Sequence, residues 1–262
     1  MKIIHSIFCF GLLLGTFTLQ AQDANKIMQD AYHVARSQGE DQKILAHMDI
    51  QDKNGNTTME RELYVLRKNV KGSQDQKWYA YFKKPADIRK MVFMVWKNEN
   101  KDDDRWLFLP AMDLVKRLAS SDKRSSFAGS QFYYEDITGR YPSEDTHSYE
   151  GNADGNHVIK SVPKDAGQVE FAHYISHIDQ KNAMINKRIF YDDANNELRV
   201  YKLIESDVVQ GYPTYKKFSM TDVSNGNRTV TTYKTVAYDV GLPDDVFTEK
   251  SLRKAPRKWL RK

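Results

Sequence analysis

Three segments of this chain are apolar at nearly every position, where a half-buried strand would be apolar at every second one. They are Trp78-Tyr79-Ala80-Tyr81-Phe82, Met91-Val92-Phe93-Met94-Val95-Trp96 and Trp106-Leu107-Phe108-Leu109. Short runs rich in aromatic and β-branched residues read as strands. Successive side chains of a strand point to opposite faces, so these strands need cover on both. A helix is ~10 Å across and strands lie ~4.8 Å apart, so one helix cannot cover a sheet of about ten strands. The sheet must curl on itself. A partly closed barrel meets that demand, with a helix and loops lying in its mouth. Such a shape holds either an apolar cavity or a core filled by its own side chains, and periodicity does not choose between them.

The rest of the pattern agrees. Asp23 to Gln38 is the one long helical stretch, with Ile27, Ala31 and Val34 on one face, Asp23 able to cap it and Gly39 able to end it. Strands are expected over 44–50, 59–67, 76–83, 89–97, 105–109, 114–119, 157–162, 171–179, 183–191, 198–205, 215–223 and 229–238. Turns fall at Lys53-Asn54-Gly55-Asn56, at 192–196 and at Ser224-Asn225-Gly226-Asn227. No linker and no break in composition divides the chain, so it reads as one domain.

The N-terminus carries a targeting signal. Lys2 precedes an apolar run from Ile3 to Leu14, and Leu19-Gln20-Ala21 ends on a small residue before Gln22 and Asp23. Residues 1–21 read as a cleaved secretory signal peptide, too short in its apolar core for a membrane span. Cys9, the single cysteine, leaves with it, so residues 22–262 rely on their core without disulfides. The expected location is the periplasm. The net charge of +5 is concentrated over residues 250–262, where Lys250, Arg253, Lys254, Arg257, Lys258, Arg261 and Lys262 crowd together. This basic tail reads either as a solvated extension or as a surface for peripheral contact with an anionic membrane or an acidic partner. Nucleic acid is not expected as a partner of an exported chain.

Specific stretches resemble a bacterial family. They are Phe82-Lys83-Lys84-Pro85-Ala86-Asp87-Ile88-Arg89, Val92-Phe93-Met94-Val95-Trp96, Asp102-Asp103-Asp104-Arg105-Trp106-Leu107-Phe108-Leu109-Pro110, and the run from Ser121 to Asp136. Leu242-Pro243-Asp244-Asp245-Val246-Phe247-Thr248 fits the closing strand and turn of the same family. The chain resembles the outer-membrane lipoprotein-sorting proteins, a branch of the LolA/LolB-like superfamily. The resemblance implies a mainly β (α+β) fold: an unclosed antiparallel β-barrel curled around an N-terminal helix and lid segments. It also implies a carrier that holds a lipid or lipoprotein acyl group in an apolar concavity, works beside an inner-membrane exporter, and serves outer-membrane biogenesis. The alternative is an envelope-lipid sensor or regulator that binds a protein partner through the same fold.

Candidate cavity-lining residues are Trp78, Phe82, Phe93, Val95, Trp106 and Phe108, with the parity of the last two open because both faces of their strand are apolar. Lys123 and Arg124 are candidates for contact with an anionic headgroup or a partner; the other reading is an exposed polar loop. Arg105 is expected to pair with an acid such as Asp136. Asp102, Asp103 and Asp104 read as a solvated hairpin tip, because no glycine-bearing calcium loop follows. His173 and His177 lie four residues apart on a strand, a span of roughly 13 Å that one metal cannot bridge. Ser125, Ser126 and Ser130 have neither a nucleophile elbow nor a nearby histidine. No metal, no cofactor and no enzymatic activity are expected.

Overall fold

The computed structural model describes residues 15–261. The leader reading at 1–21, with Cys9, falls over residues 1–14 outside the described residues. Helix α1 spans Gly15–Tyr32 and runs into a π-helical turn at His33–Ser37. It begins before Asp23, which therefore lies within the helix and not at its cap. Ala24, Met28 and Ala31 form its buried stripe. None of the described helices is long and apolar enough to cross a membrane.

The strands are β1 Asp41–Gln51, β2 Thr57–Asn69, β3 Gln76–Lys84, β4 Val92–Lys97, β5 Asp104–Leu109, β6 Leu114–Arg117, β7 Asp145–Ala153, β8 Asn156–Pro163, β9 His173–Asp179, β10 Ile185–Tyr191, β11 Glu197–Val209, β12 Tyr212–Asp222 and β13 Arg228–Tyr238. They form one antiparallel sheet in the order β6-β5-β4-β3-β2-β1-β13-β12-β11-β10-β9-β8-β7. Two meanders are thus joined where β1 pairs with β13, and β6 and β7 are free edges. The barrel is unclosed, as expected. Register shifts leave Lys234 of β13, Ile204 of β11 and Lys216 of β12 unpaired in the ladder, and such bulges bend the strands into the curl. Asp52 and Asp192 cap two hairpin tips, each accepting backbone N–H bonds from the turn residues that follow it. Strand β7, Asp-Thr-His-Ser-Tyr-Glu-Gly-Asn-Ala, is not visible in the sequence pattern because it is polar at most positions. It is an edge strand covered by α1.

This topology dictates the cover. The chain leaves the sheet at one free edge, β6, and re-enters it at the other, β7. Residues 118–144 must cross the open side. They carry the short helix α2, Tyr134–Thr138, and insert Phe127 and Phe132 into the inner core. Phe127 packs on Phe82 and Phe93 with ring centroids 5.5 and 5.8 Å apart, and Phe132 packs on Phe218 at 5.8 Å.

The outer face of β3–β5 has a second core. Tyr79, Val92, Met94, Trp106 and Phe108 pack beneath Leu242, Val246, Phe247 and Leu252. The Tyr79 hydroxyl donates to the Ser251 carbonyl at 2.8 Å, and Trp96 Nε1 donates to the Phe247 carbonyl at 2.8 Å. Asp41, only 3% exposed, redirects the chain onto this face by accepting the Val240 and Leu242 N–H groups at 2.7 and 2.6 Å. Two readings that the sequence left open are decided here. Trp106 and Phe108 point away from the concave face, because the parity of β5 directs Leu107 and Leu109 inward. The C-terminal segment is no loose extension: Trp259 and Leu260 pack on the outer core, and Arg253 Nε meets Asp113 at 3.0 Å.

His147 fastens the end of the crossing segment to β7. Nε2 lies 2.9 Å from the Pro142 carbonyl and must donate to it, and Nδ1 lies 2.8 Å from Ser161 Oγ. Burial pushes the ring's pKa below the ordinary 6.5, which favours the neutral form, with Nδ1 accepting from the Ser161 hydroxyl. The unfolded chain takes up a proton below about pH 6.5 while the folded ring resists it, so stability falls as pH drops through that value. His173 and His177, also shifted down by burial, act in the same direction. The melting temperature should therefore decline between pH 7.5 and 5.5, and His147→Gln should make that decline shallower; an unchanged slope in the variant would show that His147 is not a source of it.

Candidate functional site

The inner face of the curled sheet is not filled. A cavity of about 140 Å³ lies between it and the cover. Its floor comes from the middles of β1 and β2, where Ile44, Ala46 and Met48 stand beside Leu63 and Val65. Register sets this row: Ala46 faces Leu63 on one side and Tyr233 on the other. Phe218 and Met220 of β12 and Phe190 of β10 continue the apolar wall. Val34 and Ala35 of the π-helical turn, with Phe127, Phe132 and residues 135–140, form the roof.

The roof is held by polar contacts as well as by its phenylalanines. Arg36 Nη2 donates to the Asp136 carbonyl at 2.9 Å. Gly139 at φ +77° lets the chain pass Arg36, since a Cβ there would stand 3.0 Å from its Nε. Lys97, buried and with its pKa lowered by that burial, donates to the Gly139 carbonyl at 2.7 Å and sits 4.1 Å over the Tyr141 ring. Asp136 caps α2 through the Tyr133 N–H and meets Arg199 at 2.6 Å. Arg105 instead takes Asp103 at 2.6 Å, which corrects the expected Arg105–Asp136 pair. Glu135 lies between Lys123 at 3.6 Å and Arg140 at 2.9 Å, and Arg140 also reaches Asp145 at 2.8 Å. Burial raises the pKa of Glu135, and Arg140 and Lys123 oppose that rise.

The expected site residues separate into groups. Trp78 lines the cavity. Phe82, Phe93 and Val95 share the inner core, but Phe127 sits on the rings of Phe82 and Phe93. Trp106 and Phe108 belong to the outer face. Lys123 is only 11% exposed and turned to Glu135, while Arg124 lies 3.4 and 3.5 Å from the carbonyls of Gly167 and Val169. Neither lines the cavity. Sequence reasoning overlooked Arg36, Arg188, Tyr201, Phe218 and Tyr233 of the lining. Strict alternation along β10–β13 was the available signal, since Arg188 and Tyr201 are cross-strand partners.

The size of the cavity limits what it holds in this state. An apolar cavity of about 150 Å³ takes one benzene. The space seen here fits a ring or about six carbons, so a whole acyl chain requires the roof to withdraw.

Relatives agree with the fold. The sequence model of a family described as "Uncharacterized protein" matches residues 74–254, more than half of the chain. A DUF1329 family protein from Desulfovibrio piger is similar over 89% of this chain and 99% of its own, at 23% identity and a TM-score of 0.82. An outer membrane lipoprotein-sorting protein domain from Vibrio parahaemolyticus is similar over 89% and 99%, at 23% identity and a TM-score of 0.79. A LolA superfamily protein from Nitrosomonas europaea is similar over 87% and 98%, at 18% identity and a TM-score of 0.65. No curated protein matches the chain by sequence. The chain belongs to the family whose model it matches, and its fold is LolA-like.

Two substitutions distinguish the faces. Ala46→Trp should fill the cavity and abolish binding of the fluorescent apolar probe N-phenyl-1-naphthylamine while the sheet stays folded by circular dichroism. Phe108→Ala should cost about 3–5 kcal/mol of stability yet leave probe binding intact. Probe binding that survives Ala46→Trp would place the probe elsewhere.

Proposed function

We propose that this LolA-like chain is an envelope carrier that takes up an acyl chain of a lipid or acylated lipoprotein between its curled sheet and its roof. The observation that carries this reading is the apolar cavity beneath a roof held by a few polar contacts and two phenylalanines. Loading moves Phe127 and Phe132 off the inner face, and the acyl chain takes their seats on Phe82, Phe93 and Phe218. Each buried methylene is worth about 0.8 kcal/mol, so a twelve-carbon chain brings roughly 10 kcal/mol of gross driving force. Release follows when a competing apolar acceptor lets the roof close again.

The leader reading at residues 1–21 supports work in the periplasm, and the sorting domain of Vibrio parahaemolyticus supports this class of cargo. An inner-membrane exporter as the source, and delivery between the membranes, complete the proposal. Lys250, Lys254, Arg257 and Lys258 make no ion pair among the described residues. They supply a basic surface for an anionic membrane or an acidic partner. We propose carriage and not catalysis: the two carboxylates on the cavity wall, Glu135 and Asp136, are both held by cations, which leaves neither poised as a general base.

Native mass spectrometry on protein purified from its own envelope tests this. A co-purified acyl compound, absent from Ala46→Trp, is the expected result. A clean protein that also takes up no added lipid would overturn the carrier reading.

A further inference from the structure

The cavity wall is electrically lopsided. Four arginines line it, Arg36, Arg67, Arg140 and Arg188, against two carboxylates. Arg140 is saturated by Glu135, Glu144 and Asp145. The other three have no carboxylate within ion-pair distance among the described residues. Arg67 is fixed by Asn69 and the Gln38 carbonyl. Arg36 and Arg188 are different. Arg36 Nη1 and Nη2 reach only backbone carbonyls, of Ala35 and Asp136. Arg188 gives its Nε to Ser176 Oγ at 2.9 Å and lies 4.6 Å over the Tyr174 ring; its two Nη groups have no partner among the described residues.

Neutral donors surround this pair. Tyr201 is the cross-strand neighbour of Arg188 on the inner face. Arg36, Arg188, Tyr201, Tyr215 and Tyr233 all line the one cavity, and Thr231 Oγ1 is buried without a partner among the described residues. Burial pushes the Tyr201 phenol well up and Tyr215 to about 12. The phenols stay protonated and offer O–H groups. A set of unfilled donors bearing net positive charge beneath an apolar wall lacks one thing, a buried anion.

We propose that Arg36 and Arg188, with the hydroxyls of Tyr201 and Tyr233, form a subsite for one phosphate or carboxylate group, so that the cargo is an anionic amphiphile held with its headgroup inside the roof. This rests on the carrier reading and narrows its cargo. Arg36 also holds the roof through the Asp136 carbonyl, so a bound anion competes for the residue that fastens the roof.

Calorimetric titration with three probes tests it: dodecyl phosphate, neutral dodecanol and inorganic phosphate. Dodecyl phosphate should bind at least tenfold more tightly than dodecanol. Arg188→Gln should remove most of that preference and leave dodecanol affinity within twofold. Tyr201→Phe, which deletes a single oxygen, should lower the preference several-fold and serves if Arg188→Gln does not fold. Equal affinity for the two twelve-carbon probes, or equal losses for both in the variants, would overturn the anionic subsite and leave the carrier standing. If neither twelve-carbon probe binds, the carrier reading falls and the subsite with it. Inorganic phosphate binding as tightly as dodecyl phosphate would show a free-anion site and overturn the headgroup assignment.

Discussion

Apolar side chains stand on both faces of β3, β4 and β5, and water must be kept from both. The chain meets that demand in two unlike ways. On the outer face, Asp41 turns the backbone after β13, and residues 240–260 lie down as a permanent seal over Tyr79, Met94, Trp106 and Phe108. On the inner face, the sheet curls and the segment linking its two free edges crosses the opening. The outer seal is anchored by main-chain and side-chain bonds along its length. The inner cover leaves space beneath it. The proposed function rests on this asymmetry, because the inner cover has an apolar volume beneath it.

That cover is a competition between two kinds of contact. On the proposed carrier reading, Phe127 and Phe132 occupy apolar seats that a cargo chain would take, so ligand and roof compete for the same surface. Arg36, Lys97 and Arg199 hold roof atoms by polar bonds that a cargo chain does not replace. A hydrocarbon chain thus gains the phenylalanine seats and must outweigh the polar bonds. A headgroup that takes Arg36 from the Asp136 carbonyl removes part of the opposition. On this proposal uptake and opening are one event, driven by differential affinity for the open state.

Much of the fold was legible because strand periodicity and turn chemistry are local. The doubly apolar segments demanded two-sided cover, and most strand positions followed from alternation. Three things escaped. Strand β7 is an edge strand whose polar sequence pairs through its backbone and hides under α1. The C-terminal cover was masked by its charges, although Leu242, Val246, Phe247 and Leu252, with Trp259 and Leu260 beside them, do its packing. The site was misjudged for a physical reason. Dense apolar residues mark where both faces are sealed, as at Trp106 and Phe108, while the empty space lies under β1, β2 and β10–β13, whose inner faces mix Ala46 and Leu63 with Arg188, Tyr201 and Tyr233. Arg36 could not be found from its neighbours in sequence, since its partner Asp136 lies a hundred residues away.

The most direct test of the central claim is to map where an acyl chain lies. A fatty acid carrying a diazirine near its terminal methyl, photocrosslinked to the protein and located by peptide mass spectrometry, reports the contact residue by residue. The account predicts labels on Ala46, Met48, Leu63, Phe218 and Met220 of the inner face, and on Phe127 and Phe132 of the roof. Labels concentrated beneath residues 240–260, or scattered over the exposed surface, would contradict it.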